Sequence, residues 1–261
     1  MPVSALIRKI MSTTPCYMEM FEDKGKIYTF LNPVSYLDAL KNRSLFDKFD
    51  GIFVDGKFLA LAIKLFYWRT VERRSFDMTS IAPELFRYSE VHGKSIYIVA
   101  GKQYEVERAV AIFGKHYPKL NFAGYRNGYF NGEQEIYAEI QKIVELNPDY
   151  VVCGMGIIRQ ENFLSRLKSA GFKGVAFTCG GFISQTSMAE ITYYPKIFDL
   201  LNLRFLYRMF KEKHTRKRYL RACFCFPIQF AKELFLDGRI EGYDGLEREF
   251  GGTKSRNKKD C

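Results

Sequence analysis

No histidine cluster, no paired cysteine motif and no long apolar run occurs in this 261-residue sequence, and each absence excludes a class of protein. The three histidines, His92, His116 and His214, form no motif and are given no catalytic role. The six cysteines lack paired metal-ligand spacing, and Cys223-Phe-Cys225 is too short for a zinc knuckle, so it reads as apolar packing. Cys153 and Cys179 fall at the ends of apolar strands, where reduced cysteine behaves as a small hydrophobe, which suits a cytosolic, reduced protein. No run of eighteen apolar residues exists, so no spanning helix is expected. The opening "MPVSALIRKIMS" is too brief and too weakly apolar for a signal peptide. A protein that is soluble or lies on a membrane surface is expected. Neither a complete G-x-G-x-x-G nor a G-x-x-x-x-G-K-[ST] occurs, which argues against dehydrogenase and P-loop readings.

The hydrophobic share of 47% is ordinary for a packed globule, whereas the aromatic share of 16% is high, drawn mainly from 24 Phe and 17 Tyr. Forty Lys and Arg against 29 Asp and Glu give a net charge of +11, which calls for an anionic partner. Nucleic acid, anionic lipid and a phosphorylated substrate all fit that sign; no base-reading motif accompanies the charge, so nucleic acid is the weakest of the three.

Strand-like runs alternate with helical patterns: "KIYTFL" (26–31), "GIFV" (51–54), "SIYIVA" (95–100), "LNFAGY" (120–125), "DYVVCGM" (149–155) and "GVAFTC" (174–179), with helices such as 102–117 and 133–146 between them. The alternation predicts βαβ units: an α/β, Rossmann-like fold with a mainly parallel sheet and helices on both faces. Ligands of such sheets bind outside the carboxyl ends of the strands. After about residue 200 the chain becomes aromatic and basic. Arg204, Arg208, Lys211, Lys213, Arg216, Lys217, Arg218 and Arg221 stand against Glu212 alone, predicting a C-terminal helical appendage. The expected division is an α/β core over 1–200, the basic aromatic appendage over 201–236, and a flexible polar tail over 237–261.

Three strand ends carry residues suited to chemistry. Asp55 follows "GIFV"; "VVCGMGIIRQE" places Gly154 and Gly156 ahead of Gln160 and Glu161; "VAFTCGG" ends in Gly180 and Gly181. Glycine allows backbone N–H groups to approach a ligand, and a helix N-terminus favours negative charge. Two such loops beside an acid predict a nucleotide-diphosphate site. In "RTVERRSFDMTS" (69–80), Arg73 and Arg74 are candidate phosphate partners and Asp77 a helix N-cap. Position alone favours Asp55 as a cap for the helix opening near Gly56 over a role as a base.

Taken in order, "FLNP", "VDG", "RRSFDMTS", "GYRNGYF", "NPDYVVCGMGIIRQE", "CGG" and "LRFLYRMFKEKHTRKRY" resemble the WecG/TagA/CpsF glycosyltransferases (family 26), across roughly residues 26–222. The resemblance implies an inverting transfer of a sugar from a UDP-sugar to a polyprenyl-diphosphate-linked sugar in bacterial surface polysaccharide assembly. It implies a Rossmann-like fold without the metal-binding D-x-D motif, and none occurs here, so neither a metal nor a cofactor is expected. Residue by residue, the family's proposed base matches Asp55, its Asn in the first strand–helix loop Asn32, its "QE" pair Gln160 and Glu161, and its carboxyl-terminal "YR" arginine Arg208. This reverses the order of the readings at Asp55, in favour of a base. The sequence departs from the family's usual pattern at Phe30, Ser75, Ser184 and Tyr193-Tyr194-Pro195.

The expected catalytic residues are therefore Asp55 and Asn32. Arg73, Arg74, Asp77, Gly154, Gly156, Gln160, Glu161, Gly180, Gly181, Arg208 and Arg218 are expected to bind substrate. Gln160 and Glu161 are expected to read polar groups of the nucleoside, and the appendage to dock on an anionic membrane surface at the cytoplasmic face. A homo-oligomer is compatible with the sequence. The competing classes are another sugar-nucleotide enzyme of epimerase or reductase type, and a non-catalytic module binding anionic surfaces.

Overall fold

The computed structural model describes residues 5–189, 207 and 216–241, the last segment with side chains through Glu233. In chain order the elements are α1 (Ala5–Ser12), α2 (Tyr17–Glu22), β1 (Ile27–Leu31), α3 (Pro33–Lys41), α4 (Arg43–Phe46), β2 (Gly51–Val54), α5 (Lys57–Tyr67) and α6 (Ile81–His92). There follow β3 (Ser95–Ala100), α7 (Gln103–His116), β4 (Asn121–Arg126), α8 (Glu133–Leu146), β5 (Tyr150–Gly154), α9 (Arg159–Ser169), β6 (Val175–Thr178), α10 (Phe182–Ala189) and α11 (Arg216–Glu241). All six strands expected from the apolar runs are present, each within a residue or so of its expected bounds. They form one parallel sheet in the order β2-β1-β6-β5-β3-β4.

Successive side chains of a strand point to opposite faces, and here both faces are covered, so the strands read as continuous apolar runs. Ile27, Leu31, Ile52, Val54, Tyr97, Val99, Val151, Cys153 and Ala176 pack on one side, against α1, α3, α5 and α9. Tyr28, Phe53, Ile96, Ile98, Tyr150, Val152, Val175 and Phe177 pack on the other, against α2, α6, α7 and α10. The second layer accounts for much of the aromatic excess: Tyr28 stacks on Phe177 with centroids 5.6 Å apart, and Phe76 meets Phe177 at 5.5 Å and Phe182 at 5.8 Å. Each such pair adds about 0.5–1.5 kcal/mol beyond area burial.

Aspartates secure the amino ends of the strands. Asp50 accepts from the Ile27 N–H at 2.9 Å and from Lys168 Nζ at 2.6 Å. Asp149 accepts from the Ser95 N–H at 2.9 Å and from Lys94 Nζ at 3.1 Å. The carboxyl ends are left to loops, and the strand order reverses among β1, β6, β5 and β3. That arrangement opens a crevice above the middle of the sheet.

The basic C-terminal helix packs on the core. Ala222, Phe226, Phe230 and Glu233 of α11 are buried, with Phe226 and Phe230 against Tyr36 of α3 at 5.7 and 5.8 Å, and Arg43 bonds Glu233 at 2.8 Å. α11 continues to Glu241, past the expected start of a loose tail at 237. One glycine, Gly238, costs a helix only about 1 kcal/mol, which its neighbours tolerate. The segments 190–206 and 208–215 and the end of the tail lie outside the described residues.

Candidate active site

The loops at the carboxyl ends of all six strands enclose a cleft of about 570 Å³, and α11 contributes Arg218 and Tyr219 to its wall. Asp55 extends β2 into this cleft, its N–H bonded to Leu31 O of β1 at 2.8 Å. The N-cap of α5 is Gly56, with φ of 108°, and not Asp55. The Asp55 carboxylate lies 3.6 Å from Arg73 Nη2. What brings Arg73 there is a short parallel bridge with Val54, continued by the Arg74 N–H donating to Val54 O at 2.9 Å. Arg73 also lies 3.7 Å from Asp77 and donates to Ser75 Oγ at 2.9 Å, so one guanidinium joins both acids.

Asp77 caps a turn rather than α6. Its Oδ1 accepts from the Thr79 N–H at 2.8 Å, and the N-cap of α6 is Ser80. The short tight turn over 76–80 comes between the expected cap and the helix. Arg74 turns away from the cleft. Its guanidinium bonds Pro15 O and Glu72 and lies 4.9 Å over the Tyr17 ring and 5.4 Å over Phe53, so it joins α2 to the sheet.

Asn32 is the N-cap of α3. Its Oδ1 accepts from the Val34 and Ser35 N–H groups at 3.0 and 3.1 Å, and it lines the cleft. Pro33 at the first helical position removes a donor that would otherwise need a partner.

The glycine loops meet above β5 and β6. A Cβ on Gly154 would lie 2.7 Å from both Cys179 Sγ and Gly180 O, so only glycine permits this approach of the loops. Gly156 and Gly180 have φ of 82° and 56° and open space beside them, so their constraint is conformational and not a clash within the protein. Gln160 lies on the cleft wall, while Glu161 is fully buried and outside it. Glu161 Oε1 accepts from Thr29 Oγ1 at 3.0 Å and from Gln160 Nε2 at 2.9 Å, and Oε2 accepts from the Ile158 N–H at 2.6 Å. Thr178 donates to Thr29 at 2.9 Å, and Gln160 Oε1 accepts from the Gly180 N–H at 3.2 Å. One buried network thus ties β1, β6 and both glycine loops together. Burial raises the Glu161 pKa above its ordinary 4.5, against the hydrogen bonds of Gln160, Thr29 and Ile158. Glu161 does not reach a ligand in this geometry, because every contact named here is internal. Ile158 holds φ of 73°, a strained value for a β-branched residue, and the Glu161 carboxylate secures its N–H.

Sequence reasoning overlooked Thr29 and Thr178, whose hydroxyls are buried in that network. It also overlooked the third glycine loop, after β3. There the Lys102 N–H and Ser184 Oγ donate to Glu105 Oε2 at 2.7 and 2.8 Å, and the Gly128 N–H donates to Gly101 O at 2.9 Å. Gly101 directly after "SIYIVA" carried the same signal as the two loops that were noticed. Among the described residues, the cations lining the cleft are Lys102, Arg159 and Arg218, of which only Arg218 was expected; it also lies 3.4 Å from Asp38. Arg208 lies outside the described residues. Among the described residues no group of three or more His, Cys, Asp or Glu is gathered as a metal site.

The six-stranded parallel sheet, with an acid and paired glycine loops at its carboxyl edge, is a Rossmann-like α/β arrangement with its cleft where such sheets bind ligands. The profile of the glycosyl transferase WecG/TagA/CpsF family matches residues 10–239, and the chain belongs to that family. It is 31% identical over 230 residues to a UDP-Gal:alpha-D-GlcNAc-diphosphoundecaprenol beta-1,4-galactosyltransferase of Shigella boydii, covering 87% of this chain and 96% of that protein. It is 26% identical over 200 residues to an N-acetylglucosaminyldiphosphoundecaprenol N-acetyl-beta-D-mannosaminyltransferase of Bacillus subtilis (strain 168), covering 75% of each. The chain is a glycosyltransferase.

Proposed function

We propose that this protein inverts the anomeric centre of a UDP-sugar while transferring its sugar to N-acetylglucosamine on a polyprenyl diphosphate, in assembly of a bacterial surface polysaccharide. The observation that carries this reading is the placement of Asp55 at the rim of the cleft, beside Arg73 and across from the glycine loops after β5 and β6. In the reaction the acceptor hydroxyl attacks the anomeric carbon, its proton passes to the Asp55 carboxylate, and the bond from that carbon to the UDP oxygen breaks. Arg73 holds the carboxylate in place from 3.6 Å away. Asn32, whose Oδ1 is engaged as a cap, offers its amide N–H to the sugar. Backbone N–H groups at the start of α9 and α10, with Lys102, Arg159 and Arg218, offset the charge on the departing diphosphate. No divalent metal is required. Gln160 and Glu161 set the loops.

The relatives are named for acceptors in which the sugar is joined to diphosphoundecaprenol, and a polyprenyl tail stays in the bilayer. The enzyme therefore works at the inner face of the cell membrane as a peripheral protein. Among the described residues no helix is long and apolar enough to cross a membrane. The basic outer side of α11 meets anionic lipid, at about 1 kcal/mol per Lys or Arg near the surface.

The test is incubation of the purified protein with UDP-galactose, then other UDP-sugars, and a synthetic prenyl-diphosphate N-acetylglucosamine. UDP release and a disaccharide product that both depend on the acceptor, and both persist in EDTA, are expected. Conversion of the UDP-sugar without acceptor would point to an epimerase or reductase instead. Activity lost in EDTA and restored by Mn²⁺ would overturn the metal-independent mechanism.

A further inference from the structure

Two neighbouring helices beside the cleft carry apolar residues on the side turned away from the core. In α5, Leu59 and Ile63 are buried, and Leu61, Leu65 and the C-cap Trp68 lie on the opposite face, 50%, 60% and 90% exposed. In α11 the buried stripe is Ala222, Phe226 and Phe230, and the opposite stripe is Leu220, Phe224 and Ile228, with Phe224 73% exposed. The helices meet at the end of α5, where Phe230 lies 5.8 Å from Phe66 and 6.0 Å from Tyr67. An ordinary surface helix has one apolar face; each of these has two.

Along the two helical segments themselves the charge has one sign. No acidic residue occurs from Lys57 to Val71 or from Arg216 to Lys232, while Lys57, Lys64, Arg69, Arg216, Lys217 and Arg221 are exposed there. Aromatic and aliphatic groups on helices whose own exposed charges are cations match the boundary between anionic headgroups and acyl chains. A protein partner of comparable size would usually be met by both signs in the rim.

We propose that the outer face of α5, centred on Leu61, Leu65 and Trp68, enters the headgroup layer of an anionic bilayer alongside α11. This rests on the reading of a membrane-held acceptor. Asp55 lies just before the Gly56 cap of α5, and Arg218 and Tyr219 of α11 line the cleft, so both helices start at the reaction site and lead onto this surface. Docking through α5 therefore fixes the height of the cleft above the bilayer, where a diphosphate on a prenyl chain is presented. α11 supplies most of the electrostatic attraction, and α5 the apolar insertion beside the base.

Trp68 is the single tryptophan of the chain, so its fluorescence reports this face alone. The experiment titrates the full-length protein with phosphatidylglycerol/phosphatidylethanolamine vesicles, and separately with phosphatidylcholine vesicles, in the absence of any sugar donor. With the anionic vesicles Trp68 emission is expected to move to the blue and to be quenched by brominated acyl chains; with phosphatidylcholine it stays put. The double variant L61E/L65E, at exposed positions, is expected to weaken vesicle affinity by roughly 100-fold from lost burial of two leucines. Its transfer to a short-chain, water-soluble acceptor remains at the wild-type rate. Because vesicle binding is read without transfer, a failure of the catalytic reading leaves this result intact. Co-flotation with unchanged Trp68 emission would show that α5 is not the contact and overturn the proposal. So would a wild-type dimer in light scattering that L61E/L65E converts to monomer, which would assign the face to a second copy.

Discussion

Replacing Glu161 by glutamine changes one buried atom and tests whether the network beneath the glycine loops sets the nucleotide site. The carboxylate accepts from three donors, Thr29 Oγ1, Gln160 Nε2 and the Ile158 N–H, at 3.0, 2.9 and 2.6 Å. A glutamine amide in the same place has one oxygen, so whichever way it turns, its NH₂ faces a donor. At least one buried donor loses its acceptor, at a cost of about 1–3 kcal/mol. Two orientations distribute that loss differently: one releases Ile158 from its strained φ of 73°, the other frees Gln160 from its place under Gly180. Either displaces a loop that faces the cleft. Urea unfolding is expected to show the stability loss, and calorimetry a UDP affinity reduced about tenfold, equivalent to about 1.4 kcal/mol. The pH dependence separates this from a generic packing defect. Burial raises the folded-state pKa of Glu161 above 4.5, so the folded protein holds this proton more tightly than the unfolded chain. The contribution is fully present below pH 4.5 and is lost as pH rises through the raised pKa. Glu161→Gln should abolish that decline. A variant with wild-type urea midpoint, unchanged pH slope and unchanged UDP affinity would refute the network as the support of the loops.

Asp55→Asn is expected to keep the fold and UDP binding while lowering turnover by about 10²–10⁴-fold; near-normal transfer in a soluble-acceptor assay would remove Asp55 as the base. Gly156→Val is expected to weaken UDP binding by about tenfold or more, because φ of 82° suits glycine and the branched side chain would project where the diphosphate approaches; unchanged affinity in a folded variant would place the nucleotide elsewhere. At Asp50, burial works against the charge and the Lys168 ammonium, the Ile27 N–H and Lys26 outweigh it; at Asp149, Ser95 and Lys94 do the same, so both pKa values lie below 3.8. Their stabilisation is present above pH 3.8 and lost as pH falls through the depressed values, so D50N/D149N should flatten the acid limb of a stability–pH curve measured by urea unfolding.

The sheet was legible because a parallel strand covered on both faces is written as a short uninterrupted apolar run, and "GIFV", "YVVCG" and "VAFT" are such runs. Strand order was not legible: the placement of β6 between β1 and β5 depends on crossover packing and not on any local pattern. At the site, residue types at strand ends were readable, but side-chain direction was not. Arg73 and Arg74 are neighbours in the chain, yet the bridge to Val54 sends Arg73 to Asp55 and Arg74 to the Tyr17 ring. Gln160 and Glu161 differ in the same way, one on the cleft wall and one wholly inside. Thr29 was hidden by its position inside the apolar run "IYTFL", where threonine is usual for strands and nothing local reveals a hydroxyl's partner.

The same geometry explains why the acid and the cations of this cleft come from different parts of the chain. A parallel sheet offers backbone N–H groups and short polar side chains at its carboxyl edge, held by a network that tolerates little change. Long cationic side chains must enter from the rim, where solvent screens them and their entropy cost is lowest when a neighbouring helix steadies the stem. Arg73 is steadied by Ser75, Asp55 and Asp77, and Arg218 by its place on α11 and by Asp38. The rim is also the side from which a lipid-linked acceptor would arrive. Under the proposed function, charge on α11 would face two demands, neutralising a diphosphate inside the cleft and attracting an anionic surface outside it. A helix could meet both within a single step of the sequence: Arg218 lines the cleft, while Lys217 beside it is exposed and does not.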